Sequence, residues 1–121
     1  MKFSNNSLSR LKGVNDKLVM LMTASIIDTP IDFCIVEGVR TLERQKILFD
    51  EKKSKTLKSK HLTGNAVDIC PYINGTLVWD NNEAWTQLIE HVKKVAEQLN
   101  INIVCGYDWK WDRPHVELAS R

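Results

Sequence analysis

Two short stretches constrain this chain more than any others: Ser59-Lys60-His61-Leu62-Thr63-Gly64-Asn65-Ala66-Val67-Asp68, and Asp112-Arg113-Pro114-His115-Val116-Glu117 far downstream. The first holds a histidine and an aspartate seven positions apart, and the second adds a histidine 47 positions beyond that aspartate. Two imidazoles and one carboxylate make a three-ligand set for a divalent metal, with a fourth position left open to water as at a catalytic zinc centre. Such a mixed nitrogen and oxygen set suits zinc better than calcium or magnesium, which take mostly oxygens. The expectation is one Zn2+ per chain, held by His61, Asp68 and His115. Any fold must then lay residue 115 beside residues 61–68, which neighbouring strands of a sheet can do.

The rest of the chain reads as a scaffold for that meeting. Leu8, Leu11, Val14, Leu18, Leu21, Met22 and Ile26 recur at helical steps, interrupted at Gly13-Val14-Asn15, with Pro30 closing the segment. Ile31 to Glu37 alternates as a strand with Ile31, Phe33 and Ile35 on one face. Gly38-Val39-Arg40-Thr41 turns the chain, and Thr41 caps a helix running to about Asp50. Glu51 to Lys60, with Lys52, Lys53, Lys55, Lys58 and Lys60, reads as a loop that is either a solvated stretch or an electropositive rim. Asn65 to Cys70 alternates, so Ala66, Asp68 and Cys70 share one face and Val67 and Ile69 the other. A turn at Pro71–Gly75 and a short strand at Thr76–Trp79 complete a hairpin.

Asp80, Asn81 and Asn82 offer caps to a helix through Leu99, whose Trp85, Leu88, Ile89, Val92, Ala96 and Leu99 form the clearest apolar stripe. His91 lies beside that stripe without a partner at helical spacing, and reads as an ordinary boundary histidine. Ile101 to Cys105 is another strand, Gly106 to Trp111 an aromatic-rich loop, and His115, Glu117 and Ala119 share one face of a terminal strand. The order predicts an α+β fold, a small antiparallel sheet with helices packed against it, in a single domain over 1–121.

Composition sets outer bounds. At 121 residues, 43% hydrophobic and 26% charged, this is an ordinary globular chain. A net charge of +2, with no arginine-rich stripe among aromatics, gives no argument for nucleic acid. Cys34, Cys70 and Cys105 are odd in number and widely spaced, as expected of buried thiols in a reducing compartment. Met1 to Leu11 has no apolar core of a signal peptide, and no apolar run approaches the ~20 residues that span a bilayer. The chain is therefore expected to stay in the cytosol unless something else releases it, with no stable membrane insertion.

A hydrolytic metal site also needs a general base and a cation for developing negative charge. Asp112 sits on a turn made rigid by Pro114, Glu117 shares a strand face with His115, and Asp108 is a third choice. Each is open as the base, and Glu117 also as the partner that orients an imidazole. Arg40, at a strand-to-helix junction, is the natural oxyanion partner, although its position fits a surface arginine equally well. Gly64 reads as permitting tight backbone approach between the first two ligands.

Taken together, SxHxxGxAxD and DxxHxE, with Glu37-Gly38-Val39-Arg40, Gln45 and the Gly106–Trp109 loop, resemble the zinc D-Ala-D-Ala peptidase superfamily. Within it the chain is most similar to the bacteriophage L-alanyl-D-glutamate endopeptidases and related cell-wall peptidases, over nearly its whole length. The resemblance implies a hedgehog/D-Ala-D-Ala peptidase-like fold, zinc on His61, Asp68 and His115, and Asp112 as catalytic acid/base. It also implies Arg40 near the scissile carbonyl, Ser59 and Gln45 in contact with substrate, and Glu117 in support. The implied substrate is the peptidoglycan stem peptide, met by a monomeric endolysin that waits in the host cytoplasm and acts on the wall after release. Gly106-Tyr107 stands where a double glycine is common, and Trp109 to Asp112 is short, so subsite preferences are left open. Two other readings compete: a D-Ala-D-Ala carboxypeptidase, and a non-catalytic zinc-stabilised module that binds wall peptides or protein.

Overall fold

The computed structural model describes residues 1–53 and 59–119. Lys55 and Lys58 of the anticipated basic rim lie outside the described residues. In chain order come helices α1 (Asn5–Arg10) and α2 (Asp16–Ile27), strand β1 (Phe33–Glu37) and helix α3 (Leu42–Asp50). A 3-10 turn at Lys60–Thr63 leads into β2 (Ala66–Ile73) and β3 (Thr76–Leu77). Helix α4 (Asn82–Gln98), β4 (Ile103–Cys105), a second 3-10 turn at Gly106–Trp109 and β5 (His115–Leu118) follow. The strands form an antiparallel sheet in the order β1-β2-β5-β4, with β3 hairpinned onto β2. Helices with an antiparallel sheet make the α+β architecture that the element order predicts.

Val67 and Ile69 on one face of β2 join Leu18, Leu21 and Met22 of α2 and Trp85, Leu88 and Val92 of α4 in the core. Burying such side chains is worth roughly 1.5–3 kcal/mol each, and this layer fixes which face of the sheet is left for chemistry. The Asn81 side chain caps α4 by accepting from the Ala84 N–H at 3.0 Å. His91 is structural, bonded through Nε2 to the Ser25 carbonyl of α2 at 2.8 Å.

Three details differ from the sequence reading. Strand β2 runs on through Pro71, and the hairpin turn is only Asn74-Gly75, both at positive φ (53° and 79°) as a tight two-residue turn requires. Leu8 is exposed, and Ser7 takes its place in the interior, where its hydroxyl accepts from the Ile35 N–H at 3.1 Å. Gly64, at φ 77°, makes its close approach to the α1–α2 connection rather than between two ligands: a Cβ there would lie 2.7 Å from the Gly13 carbonyl.

Candidate active site

The face of the sheet turned away from the core carries the site. Register places Glu37 opposite Asp68 and Asp68 opposite His115, so three adjacent strands present these side chains in a row. Plain alternation from Phe33 and Ile35 would send Glu37 into the core. A bulge between Ile35 and Glu37 inserts one extra residue and turns Glu37 to the Asp68 side.

His61 joins from the 3-10 turn, which Ser59 caps by accepting from the His61 N–H at 3.2 Å. Its Nδ1 donates to the Gly38 carbonyl at 2.9 Å, leaving Nε2 facing Asp68 Oδ1 at 3.1 Å. His115 is held in the opposite sense: Nε2 donates to Glu117 Oε1 at 2.7 Å, and Nδ1 faces Asp68 Oδ1 at 3.5 Å. Both imidazoles thus have their outer nitrogens tied to acceptors, the usual means of fixing a metal-binding tautomer. One ligand atom from each of His61, Asp68 and His115 lies within 4.8 Å of the others.

Three electron-pair donors pointing at one another need a proton or a cation between them. Neighbouring ligands of a tetrahedral zinc stand about 3.3 Å apart, given bonds near 2.05 Å. The separations of 3.1 and 3.5 Å bracket that value. The donor set fits a metal ion.

Electrostatics point the same way. Burial pushes the Asp68 carboxyl up, but hydrogen bonds from His115 and His61 outweigh it and hold Asp68 well below the usual carboxylate range. Burial pushes the His115 pKa down, but hydrogen bonds to Asp68 and Glu117 outweigh it and raise it above the ordinary imidazole value. Asp112, across the centre with Oδ2 3.8 Å from His115 Nδ1, is raised by burial and by the charge of Asp68.

Around this centre lies a cleft of about 750 Å³. Arg40, Leu48 and Lys53 line its β1–α3 end, Trp109, Trp111 and Asp112 its β4–β5 end, and Ser59 lies in the wall with His61. Arg40 is nearly buried and clamped: Nε and Nη2 donate to the two Glu37 oxygens at 2.9 and 2.8 Å, and Nη1 to Gln45 Oε1 at 2.7 Å. Its Nη2 also stands 3.8 Å from Asp68 Oδ2.

Arg40 is therefore no surface arginine. Gln45, expected at the substrate, is 0% exposed and sits behind Arg40 instead of on the cleft wall. Asp108, the third choice of base, is paired with Lys93 at 2.8 Å outside the cleft. Lys60, counted in the basic rim, is engaged with the Leu118 carbonyl at 2.7 Å and Glu117 Oε2 at 3.1 Å. Glu37 and Lys60 are the supporting residues that sequence reasoning missed. A carboxylate three residues before Arg40 was the available signal for the first; the second needed the β5 register.

The comparisons with known proteins are of one kind. A family model for phage L-alanyl-D-glutamate peptidase matches residues 1–119. The chain belongs to that family. It is 33% identical to the L-alanyl-D-glutamate peptidase of Escherichia phage T5, covering 98% of both chains. Among solved structures it is similar to the Serratia marcescens L-Ala D-Glu endopeptidase ChiX, with a TM-score of 0.90 and 30% identity over 98% of this chain and 90% of that one. As a member of the phage L-alanyl-D-glutamate peptidase family it is an enzyme, a peptidase of the peptidoglycan-degrading kind.

Proposed function

We propose that this chain is a zinc-dependent endopeptidase that hydrolyses the L-Ala–D-Glu bond of the peptidoglycan stem peptide during phage lysis. The observation that carries the reading is the convergence of His61, Asp68 and His115 in the cleft, with Asp112 and the clamped Arg40 on either side. Those three residues would hold the ion, which when bound acidifies a water molecule and polarises a carbonyl.

The protein groups do the rest. Asp112, from the β5 side, takes a proton from the attacking water and returns it to the departing D-Glu amine. The C–N bond breaks, leaving a carboxylate on L-Ala and an amine on D-Glu. Arg40, from the β1 side, matches the negative charge that develops on the carbonyl oxygen. Glu37 and Gln45 hold the guanidinium still, so little reorganisation is needed as that charge appears. Glu117 orients His115, and Ser59 is assigned to contact with the peptide. In this reading a single monomeric domain waits in the host cytoplasm and meets the wall once the inner membrane is breached.

Mass spectrometry of purified peptidoglycan digested with the zinc-loaded protein, beside Asp112→Ala, tests the proposal. Stem peptides beginning at D-Glu, with L-Ala kept on the glycan and both absent with Asp112→Ala, are expected. Free D-Ala would instead identify a carboxypeptidase, and bound zinc with no product would leave a binding module.

A further inference from the structure

The Arg40 guanidinium faces two ways, into the cleft and toward the carboxylate among the three donors. Asp68 divides its oxygens accordingly. Oδ1 stands 3.1 Å from His61 Nε2 and 3.5 Å from His115 Nδ1, so this is the oxygen grouped with the two imidazoles. Oδ2 stands 3.8 Å from Arg40 Nη2. Among the described residues no other arginine, and no lysine, pairs with Asp68.

The strand register builds this juxtaposition. The bulge in β1 sets Glu37 opposite Asp68, and Glu37 accepts from Arg40 Nε and Nη2 at 2.9 and 2.8 Å while Gln45 accepts from Nη1 at 2.7 Å. A guanidinium nitrogen of the Nη kind carries two N–H bonds, so Nη2 keeps one beyond that given to Glu37. Held from two directions, with its side chain 8% exposed, Arg40 has little room to swing away. Closing 3.8 Å to a charge-assisted hydrogen bond of about 2.8 Å takes a shift of only ~1 Å.

A carboxylate can hold a dication by one oxygen or by both. At a centre with three protein donors, that choice decides whether room is left for water, the feature that separates a catalytic zinc site from a closed one. An Asp68 Oδ2 without a partner would be drawn to the ion, whereas one engaged by a fixed cation is held back. Repulsion alone would keep an arginine away from a dication, because a like charge weakens metal binding. Its placement beside the three donors therefore calls for a compensating gain. We infer that Arg40 is a positioning residue of the metal centre: it engages Asp68 Oδ2 and limits the aspartate to one-oxygen ligation, so that a coordination position stays open. This inference rests on the reading of His61, Asp68 and His115 as the metal site.

The test compares zinc-loaded crystals of the parent and of Arg40→Met, with zinc affinity measured in solution by competition with a chromogenic chelator. In the parent, Asp68 Oδ1 should lie about 2.0–2.2 Å from zinc, with Oδ2 outside bonding distance and hydrogen-bonded to Arg40. In Arg40→Met both oxygens should lie within bonding distance. Zinc should then be held more tightly, on the order of tenfold, because a ligand atom is gained and a like charge is lost. A residue that merely supports the fold gives the opposite, weaker zinc binding and an unchanged carboxylate. One-oxygen ligation in Arg40→Met, two-oxygen ligation in the parent, or weaker zinc binding in the variant would each overturn the inference. Should Arg40→Met not fold, the double variant Glu37→Leu, Arg40→Met removes both charges together, and the same change from one oxygen to two is required of it. A parent that takes up no zinc would defeat the metal reading first, and the inference with it.

Discussion

Each metal-site side chain leans on a neighbour that never touches the ion position, and those neighbours make sharp predictions. Glu117 bridges His115 and Lys60, so Glu117→Ala frees the ring and takes the carboxylate away from Lys60. Zinc affinity should fall by roughly 10–100-fold with the circular dichroism spectrum kept, as read by competition with a chromogenic chelator. Gln45 works on Arg40. Gln45→Leu removes the acceptor for a nearly buried guanidinium N–H, at a cost of roughly 1–3 kcal/mol in urea unfolding. Arg40 would then be held by Glu37 alone, and if it serves the carbonyl oxygen as proposed, kcat should fall more than KM rises. Arg40→Ala itself should lower kcat on the order of a hundredfold or more.

Elements, rather than single residues, decide where Asp112 and the indoles stand. Gly106 opens the turn after β4, and a Cβ there would sit 2.1 Å from the Asp112 carbonyl oxygen and 2.9 Å from His115 Cβ. Gly106→Ala must therefore move the Asp112 turn, destabilising the fold by roughly 1–3 kcal/mol and lowering kcat together. Matched losses in urea midpoint and turnover would bear this out; full activity would show that the turn is not needed where it stands. The neighbouring position has no such demand: Tyr107 uses its room to bond Thr86 Oγ1 at 2.6 Å, tying the turn to α4. This explains how the chain does without a second glycine.

Helix spacing and strand alternation made α2, α4, β2 and β5 legible in the sequence because local periodicity encodes them, and the spacing within two motifs marked the three donors. The bulge that turns Glu37 outward went unread, although a charged residue at a position that alternation assigns to the core was its mark. Gln45 was expected at the substrate from the family resemblance alone, which does not say which side of the Arg40 guanidinium the amide takes. Of the β1-β2-β5-β4 order only the neighbouring of β2 and β5 was legible, from the need to bring His115 beside His61 and Asp68; the places of β1 and β4 rest on long-range packing.

For the molecule as a whole, burial controls the thiols. Burial pushes Cys70 and Cys105 up to about 11 from an ordinary 9.0. Below pH 9 these groups are neutral whether the chain is folded or not, and their contribution to stability is intact. As pH climbs from 9 to about 11 the unfolded chain ionises first, so that contribution is lost. The urea midpoint should drop between pH 8.5 and 10.5, and drop less in a Cys70→Ala, Cys105→Ala double variant, by about the linkage expected for such shifts. The sheet order carries a consequence of another kind. Strand β5 lies between β2 and β4, yet it is the last of the five strands in the sequence. A ribosome that has not passed residue 115 has made a chain with two donors, a gap in its sheet and no third donor. If His115 completes the metal site as proposed, the order of synthesis keeps a wall-cutting enzyme switched off while it is being made, and the strand that closes the sheet also arms it.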